Sequence, residues 1–425
     1  MRMPCVWDLR GNLRNRLPRD QVADPPAVDA KADIVIAGGG IGGVIAAELL
    51  ARARRRVLVL ERSIAPPSFL RPEIIWPPAA KTLFNFHDRI AWETDSLLAV
   101  GGLTVHFGGN ARPVITRELL RTAGLQPFFT DPNQLRERLL ADCTGEVRRG
   151  VEVIDVIRNR ETVRGVSARE IQSGKEFVVE ADVVVGDDGP ESRIRSALGI
   201  EMKLRRFPVD FFVREHPWPE GLPGYVAHAL IAPREDRSGL YGFGFVPVPG
   251  KRTACVAAVR GNVDGASPDL SAAWNATLSA AGDFSALWRD VNFPNAFSRV
   301  SRKWGHVARY GEGNAVLIGD AAHPVSPAGG QGANMAIADA VALARVIMDG
   351  ANDLARALDS IRRAPNSRGL RPTRLAHRAF EMSGRSALRG IPRLILPRLL
   401  TFPALFPRIL RTLATGSANP DWERN

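Results

Sequence analysis

Residues 32–62 read ADIVIAGGGIGGVIAAELLARARRRVLVLER: an apolar run, a Gly-rich turn, a stretch with helical spacing and a second apolar run. Short apolar runs bounded by glycine fit buried strands, and the Ala/Leu-rich stretch between them is long enough for several helical turns. Strand, turn, helix and strand in that order make a βαβ unit, which predicts a parallel sheet. Within it Gly38, Gly40 and Gly43 stand in the spacing GxGxxG, with Ile41 and Gly42 between them. The first glycine allows the tight turn, the second lets backbone approach a pyrophosphate, and the third lets helix and strand pack closely. Backbone N–H groups at the helix start then face phosphates. Glu61 ends the second strand, where an acid accepts hydrogen bonds from adenosine ribose hydroxyls, and Arg62 beside it joins the candidate cofactor residues. An acid there disfavours a 2′-phosphate, so the site is expected to hold FAD or NAD and not NADP.

Two further apolar runs end in acid and glycine. The first is ADVVVGDDGPESRIRSALG, residues 181–199, in which Asp188, Gly189, Ser192 and Arg195 form DGxxSxxR. Ser192 and Arg195 fall on neighbouring helical turns and either face one ligand or serve as a helix cap and a surface residue. The second is GDAAHPVSPAGGQGAN, residues 319–334, between AVLIGD and the Ala-rich MAIADAVALA. Read alone, it is equally a helix entry loop capped by Asp320.

The three turns together, GxGxxG, DGxxSxxR and GDAAHPxxPxxGQGxN, resemble the single-component FAD-dependent aromatic hydroxylases, the p-hydroxybenzoate hydroxylase-like flavoprotein monooxygenases. The resemblance covers roughly residues 32–350, and its specificity lies in the second and third motifs together. It implies that Asp188 and Gly189 belong to the cofactor site and that Asp320 holds the ribityl chain of FAD. It places the turn Gly329 to Asn334, with Gly330, Gly332 and Ala333 inside it, beside the pyrimidine end of the flavin, makes Asn334 a flavin-contacting amide and puts Pro327 beside the reactive face; Pro327, Gly329 and Gly330 are the catalytic candidates. A helix N-terminus there stabilises the anionic reduced flavin. RPEIIWP, residues 71–77, resembles the family stretch whose arginine contacts the cofactor, which implicates Arg71; Gln134 sits near a family position that touches FAD at a helix start. The implied reaction uses NADH or NADPH as a transient electron donor and O2 as co-substrate, and hydroxylates or epoxidises an aromatic or polyene molecule through a flavin C4a-hydroperoxide. Two other flavin chemistries stay open, isoprenoid double-bond reduction and halogenation, as does a non-catalytic flavin-binding partner protein.

Between the second and third motifs the spacing changes to period two, in VDFFVREHP, YVAHALIAP, SGLYGFGFVPVPG and KRTACVAAV, with a hairpin expected at PVPGKRT. This predicts an antiparallel sheet inserted into the FAD-binding fold, one wall of a ligand cavity. Phe211, Tyr225, His228, Tyr241 and Phe243 are candidates for that wall; packing is the other reading of each. The fold class expected is α/β, a Rossmann-like FAD-binding domain with an inserted antiparallel substrate sheet and a C-terminal helical segment. The boundaries read as an N-terminal extension 1–31, FAD-binding parts 32–205 and 301–350, a substrate sheet 206–300 and a helical tail 351–425. His323 reads as a structural hydrogen bond near the helix entry.

Lys and Arg number 57 against 45 Asp and Glu, a net charge of +12, yet no basic run carries a nucleic-acid module, so no nucleic acid is expected. The cysteines Cys5, Cys143 and Cys255 are isolated and suggest neither a disulfide framework nor a metal site. Residues 1–30 lack the apolar core of a secretory signal, and no apolar run reaches membrane-spanning length, so the chain reads as cytoplasmic. Residues 385–416 mix large apolar residues, Arg and Pro. They are read either as a peripheral membrane segment, which favours a lipophilic substrate, or as helices packed on the FAD-binding domain.

Overall fold

The computed structural model describes residues 29–67, 70–86, 92, 96–107, 109–160, 162–222, 225–232, 240–260, 270–279, 281–288, 297–325, 327, 329–363 and 406–415. Strand β1 (Ala30–Ala37) leads through the Gly-rich turn into helix α1 (Ile41–Arg52) and strand β2 (Val57–Glu61), as the βαβ pattern predicts. Helix α2 (Pro132–Asp142), strands β3 (Glu176–Gly186) and β4 (Ala315–Leu317) and helix α3 (Gly332–Met348) complete the same layer, and helix α4 (Phe406–Thr415) closes the described chain. The strands lie in the order β4-β3-β1-β2, all parallel. Covered on both faces, such strands are apolar throughout: every residue of VLVLE in β2 is buried. Helices α1 and α3 pack against each other closely enough that a Cβ on Gly42 would lie 3.1 Å from the Ala336 Cβ.

The second sheet has seven strands, in the order Ser298–Trp304, Arg205–Pro217, Arg252–Arg260, Leu240–Val248, Val226–Ile231, Gly102–Phe107 and Asn110–Ile115. Each period-two run forms a strand, and Pro249, Gly250 and Lys251 make the expected hairpin turn, the latter two with φ of 80° and 54°. The sheet departs from the expected plan at one edge. Gly102–Phe107 and Asn110–Ile115 come from the 32–205 segment, and the first of them pairs parallel with Val226–Ile231. Its alternation is short, and its partner is far away in sequence, so the run carried no local sign of its sheet.

One face of this sheet, with Phe212, Leu230, Phe243, Phe245 and Cys255, is covered by helix Leu270–Ser279 and the 3-10 turns Gly282–Trp288, and its core includes Trp274 and Trp288. The other face carries Phe211, Val213, Val246, Val248 and Ala254 against Leu70, and Leu103 and Ala227 against Trp76 and Val100. That face meets the part of the chain built around the Gly-rich turn.

The expected extension 1–31 lies outside the described residues up to residue 28; Cys5 lies there too. Cys143 and Cys255 are free thiols. Of residues 385–416, only α4 is described. Leu410 and Ala414 join the core around Trp76 and Leu120, and the buried Arg411 donates from Nε to the Ala123 carbonyl at 2.8 Å. That carbonyl ends the short helix Arg117–Ala123, where a cation complements the helix dipole. Among the described residues no helix is long and apolar enough to cross a membrane.

Candidate cofactor site

Parallel pairing puts the turns that follow β1, β3 and β4 at one edge of the sheet, the carboxyl edge at which open α/β sheets bind ligands. Backbone hydrogen bonds lock the turns together: Gly38 N–H to Leu60 O at 2.8 Å, Asp187 N–H to Ala37 O at 2.8 Å and Ile318 N–H to Gly186 O at 3.0 Å.

The glycines of GxGxxG make the tight turn and the close packing, and they also make room for Asp187. Gly38 has φ of 99°, and a Cβ on it would strike the Asp187 carbonyl. A Cβ on Gly40 would run into Asp187 Oδ2, and one on Gly43 would lie 2.8 Å from the same oxygen and 2.6 Å from Gly38 O. The room at Gly40, expected to admit a pyrophosphate, thus also admits a buried carboxylate. Asp187 Oδ2 accepts the Gly43 N–H at 2.7 Å. The helix's first internal bond is Val44 N–H to Gly40 O, so the N–H groups of Ile41 and Gly42 have no intrahelical acceptor and suit a diphosphate.

Glu61 is buried at the end of β2 and accepts from Gly39 N–H and Ser63 N–H, both at 2.6 Å. Arg136 of α2 pairs with it at 3.1 Å and donates from Nε to Gly39 O at 2.7 Å. The α2 residue that reaches the Gly-rich loop is therefore Arg136. Gln134, the candidate from sequence, is exposed at the rim of a cavity of about 350 Å³ with Asp131, Glu215 and Arg252. The two positions lie on opposite faces of a helix, so proximity in sequence did not decide between them. Arg62 points outward, 3.8 Å from Glu152. Arg71 is half-buried just before the strand Glu73–Ile75.

In DGxxSxxR the acid and the serine make capping hydrogen bonds, and the arginine is buried, not a surface residue. Asp188 Oδ2 accepts from Arg193 N–H at 2.6 Å and Ile194 N–H at 3.2 Å, Ser192 Oγ accepts from Arg195 N–H at 2.9 Å, and Gly189 takes φ of 83° to make the turn. Burial holds the Asp188 carboxyl above its ordinary pKa. Arg195, buried, donates to Ala321 O at 3.0 Å and to Pro190 O at 2.8 Å, joining the second motif to the third.

In the third motif Asp320 is half-buried in the 3-10 turn Gly319–Ala321. His323 Nε2 lies 2.5 Å from Asp339 Oδ2, which also accepts Gly319 N–H at 2.9 Å. His323 is thus a structural residue, as read. Pro327 is half-buried, and Gly329 and Gly330 take φ of 82° and 58°. Helix α3 then begins with Gly332, Ala333 and Asn334. Asn334 Oδ1 accepts Trp76 N–H at 2.7 Å, and its Nδ2 donates to Ile74 O at 2.8 Å and Gly330 O at 2.7 Å. Trp76 Nε1 donates to Gly329 O at 3.1 Å. A Cβ on Gly330 would collide with Ile74 Cγ2.

This donor set fits FAD: helix N–H groups for a diphosphate, an acid for ribose hydroxyls, a second acid at Asp320 and a second helix N-terminus over one sheet edge. Among the described residues no cluster of His, Cys, Asp or Glu could hold a metal ion.

A protein-family profile described as an FAD binding domain matches residues 130–358, more than half of the chain and both later motifs. The chain belongs to the p-hydroxybenzoate hydroxylase-like family of FAD-dependent monooxygenases. The flavoprotein is 28% identical to the 6-methylpretetramide 4-monooxygenase of Streptomyces rimosus, over 92% of this chain and 94% of that one. It is 28% identical to a phenazine 1,6-dicarboxylic acid hydroxylase of Lysobacter antibioticus, over 79% and 88%. Its fold matches the p-nitrophenol 4-monooxygenase of Pseudomonas putida with a TM-score of 0.70 and 16% identity, over 91% of this chain and 99% of that one.

The substrate-wall candidates of this monooxygenase do not gather on one surface. Phe243 and His228 sit on the helix-covered face; His228 Nδ1 is 3.0 Å from His106 Nε2, and Phe284 lies 4.5 Å from both rings. Tyr225 is exposed with φ of 51°, and Tyr241 is half-buried next to Gly242. Phe211 alone of the five belongs to the cluster on the opposite face, with Val213 and Val248. Strict alternation defines two faces and leaves open which one looks inward.

Proposed function

We propose that this monooxygenase takes electrons from NADH or NADPH and inserts one atom of O2 into a fused-ring aromatic substrate. The observation that carries the reading is the convergence of three strand-to-helix turns on one sheet edge, with the N-terminus of α3 beside Pro327, Gly329 and Gly330. FAD, when bound, supplies the electron store and the oxygen chemistry.

The chain's own residues set the conditions. The first N–H groups of α3, at Gly332 and Ala333, would stabilise negative charge on a bound flavin. Asn334 and Trp76 hold the Gly329–Gly330 carbonyls by hydrogen bonds, which fixes the turn that would hold the flavin. The apolar face with Phe211, Val213, Val246 and Val248 is the substrate wall, and its dryness guards against loss of oxidant to water. The choice of a fused-ring substrate is supported by the relatives, a pretetramide monooxygenase, a phenazine hydroxylase and an aklavinone 12-hydroxylase.

The test is the visible spectrum of the purified protein, titrated anaerobically with NADH or NADPH and then exposed to air with a panel of naphthacene- and phenazine-type phenols. Flavin bleaching accelerated by a panel member, followed by a product heavier by one oxygen, is expected. Flavin that no nicotinamide reduces, with or without the panel, refutes the reading.

A further inference from the structure

Strand β3 is followed by two consecutive acids, which turn opposite ways. Asp188 caps the following turn, whereas Asp187 turns back beneath the first turn of α1. Its surroundings are backbone and acids. Oδ2 accepts the Gly43 N–H, and Oδ1 lies 2.5 Å from where a Cβ on Gly319 would be. The charged groups that bear on it are Asp320 from the turn after β4, Asp339 from α3 and its neighbour Asp188. The cations nearby are engaged elsewhere: Arg195 with the Ala321 and Pro190 carbonyls, and Arg136 with Glu61 on the far side of Gly39. His323 faces Asp339.

A carboxylate at this place and the diphosphate of FAD compete for the same helix N-terminus. The diphosphate adds negative charge to a spot already surrounded by acids, with little water to screen it. The conflict disappears when the carboxyl carries a proton on one oxygen and keeps the other as acceptor for Gly43.

We propose that Asp187 couples cofactor loading to proton uptake: FAD binds the form of the chain in which the Asp187 carboxyl is neutral, and loading onto the ionised form takes one proton from solvent. Burial and the three acids hold this carboxyl well above the ordinary aspartate range, against the lowering effect of the Gly43 N–H. Asp187 is a positioning residue, acting through the phosphate-facing turn. A glycine-rich turn needs no acid beneath it, and here four glycines, at 38, 40, 43 and 319, leave the room that the Asp187 backbone and carboxyl take.

The experiment is an FAD titration of the flavin-stripped chain, read by flavin fluorescence from about pH 5 to about pH 9, with calorimetry in two buffers of different ionisation enthalpy to count protons. For the wild type, affinity is expected to fall as pH rises, by up to about tenfold per unit, with as much as one proton taken up per FAD. Asp187→Asn keeps an oxygen for Gly43 and cannot titrate; its affinity is expected to be flat with pH and its proton count zero. Asp187→Ala should be flat as well but weaker, since Gly43 N–H then lacks its acceptor. Parallel profiles for wild type and Asp187→Asn overturn the proposal. If that variant does not fold, the proton count on the wild type decides, and no uptake anywhere in the range overturns it.

Discussion

The side chain of Asn334 grips the backbone around Trp76 from both sides, accepting Trp76 N–H at 2.7 Å and donating to Ile74 O at 2.8 Å. These residues are far apart in sequence, and their contact ties the segment after Arg71 to the start of α3. Replacing Asn334 by Ala strands a buried N–H and two carbonyls, which costs about 1–3 kcal/mol per unsatisfied group. Urea unfolding should show a loss of at least about 2 kcal/mol, with Asn334→Asp, which keeps the acceptor, in between. A stability unchanged by Asn334→Ala would show that the grip is dispensable.

Gly40 and Asp187 form a second testable pair. A methyl group on Gly40 meets the Asp187 carboxylate, so Gly40→Ala alone should destabilise the chain by roughly 1–3 kcal/mol. In an Asp187→Ala background the obstacle is gone, and the two changes should couple by at least about 1 kcal/mol in a double-mutant cycle. Simple additivity would mean that the glycine is required for the turn or the cofactor and not for the acid.

Glu61 and Asp320 carry the cofactor assignment. On the proposed FAD site, Gly40→Val, Glu61→Arg and Asp320→Ala should each yield purified protein with less than about a tenth of the wild-type flavin, because each alters a group that would meet FAD there. Absorbance at the flavin band relative to protein settles it; full flavin content in all three variants would falsify the site.

The sequence made much of this visible. GxGxxG, the acid at 61 and the two later turns are local signals, and the sheet brings all three turns to one edge. Asp187 holds no motif position, because DGxxSxxR begins one residue later at Asp188, and only the packing of α1 over the turn after β3 shows what the preceding acid touches. Arg136 was missed in favour of Gln134 because a helix presents residues two apart to opposite sides, a fact that needs the neighbouring loop to resolve. For His228 and Phe243 the period of two was right, but the helix Leu270–Ser279 that claims their face is distant along the chain.

The buried His106–His228 pair predicts acid sensitivity. Burial, and for His228 also the neighbouring His106, lowers both pKa values, His228 from 6.5 to about 4. The native pair is neutral, so between 6.5 and about 4 the unfolded chain binds more protons, and stability falls as pH drops through this window. Going from about pH 7 to about pH 5 should cost roughly 2 kcal/mol through His228. The double variant His106→Leu with His228→Phe should show a shallower acid limb in unfolding followed by circular dichroism. An identical slope would assign the acid loss to other groups.

The parallel pairing of Gly102–Phe107 with Val226–Ile231 has a consequence for inheritance and engineering. A module delivered as one uninterrupted insert can be exchanged between relatives by a single pair of crossovers. Here two strands of the seven-stranded sheet are encoded before the second motif and five after it. A transplanted 206–300 segment would arrive without two of its edge strands and leave those of the recipient unmatched. This sheet is therefore free to change residue by residue or through coordinated change in two stretches of gene, and a one-piece swap should give misfolded chimeras.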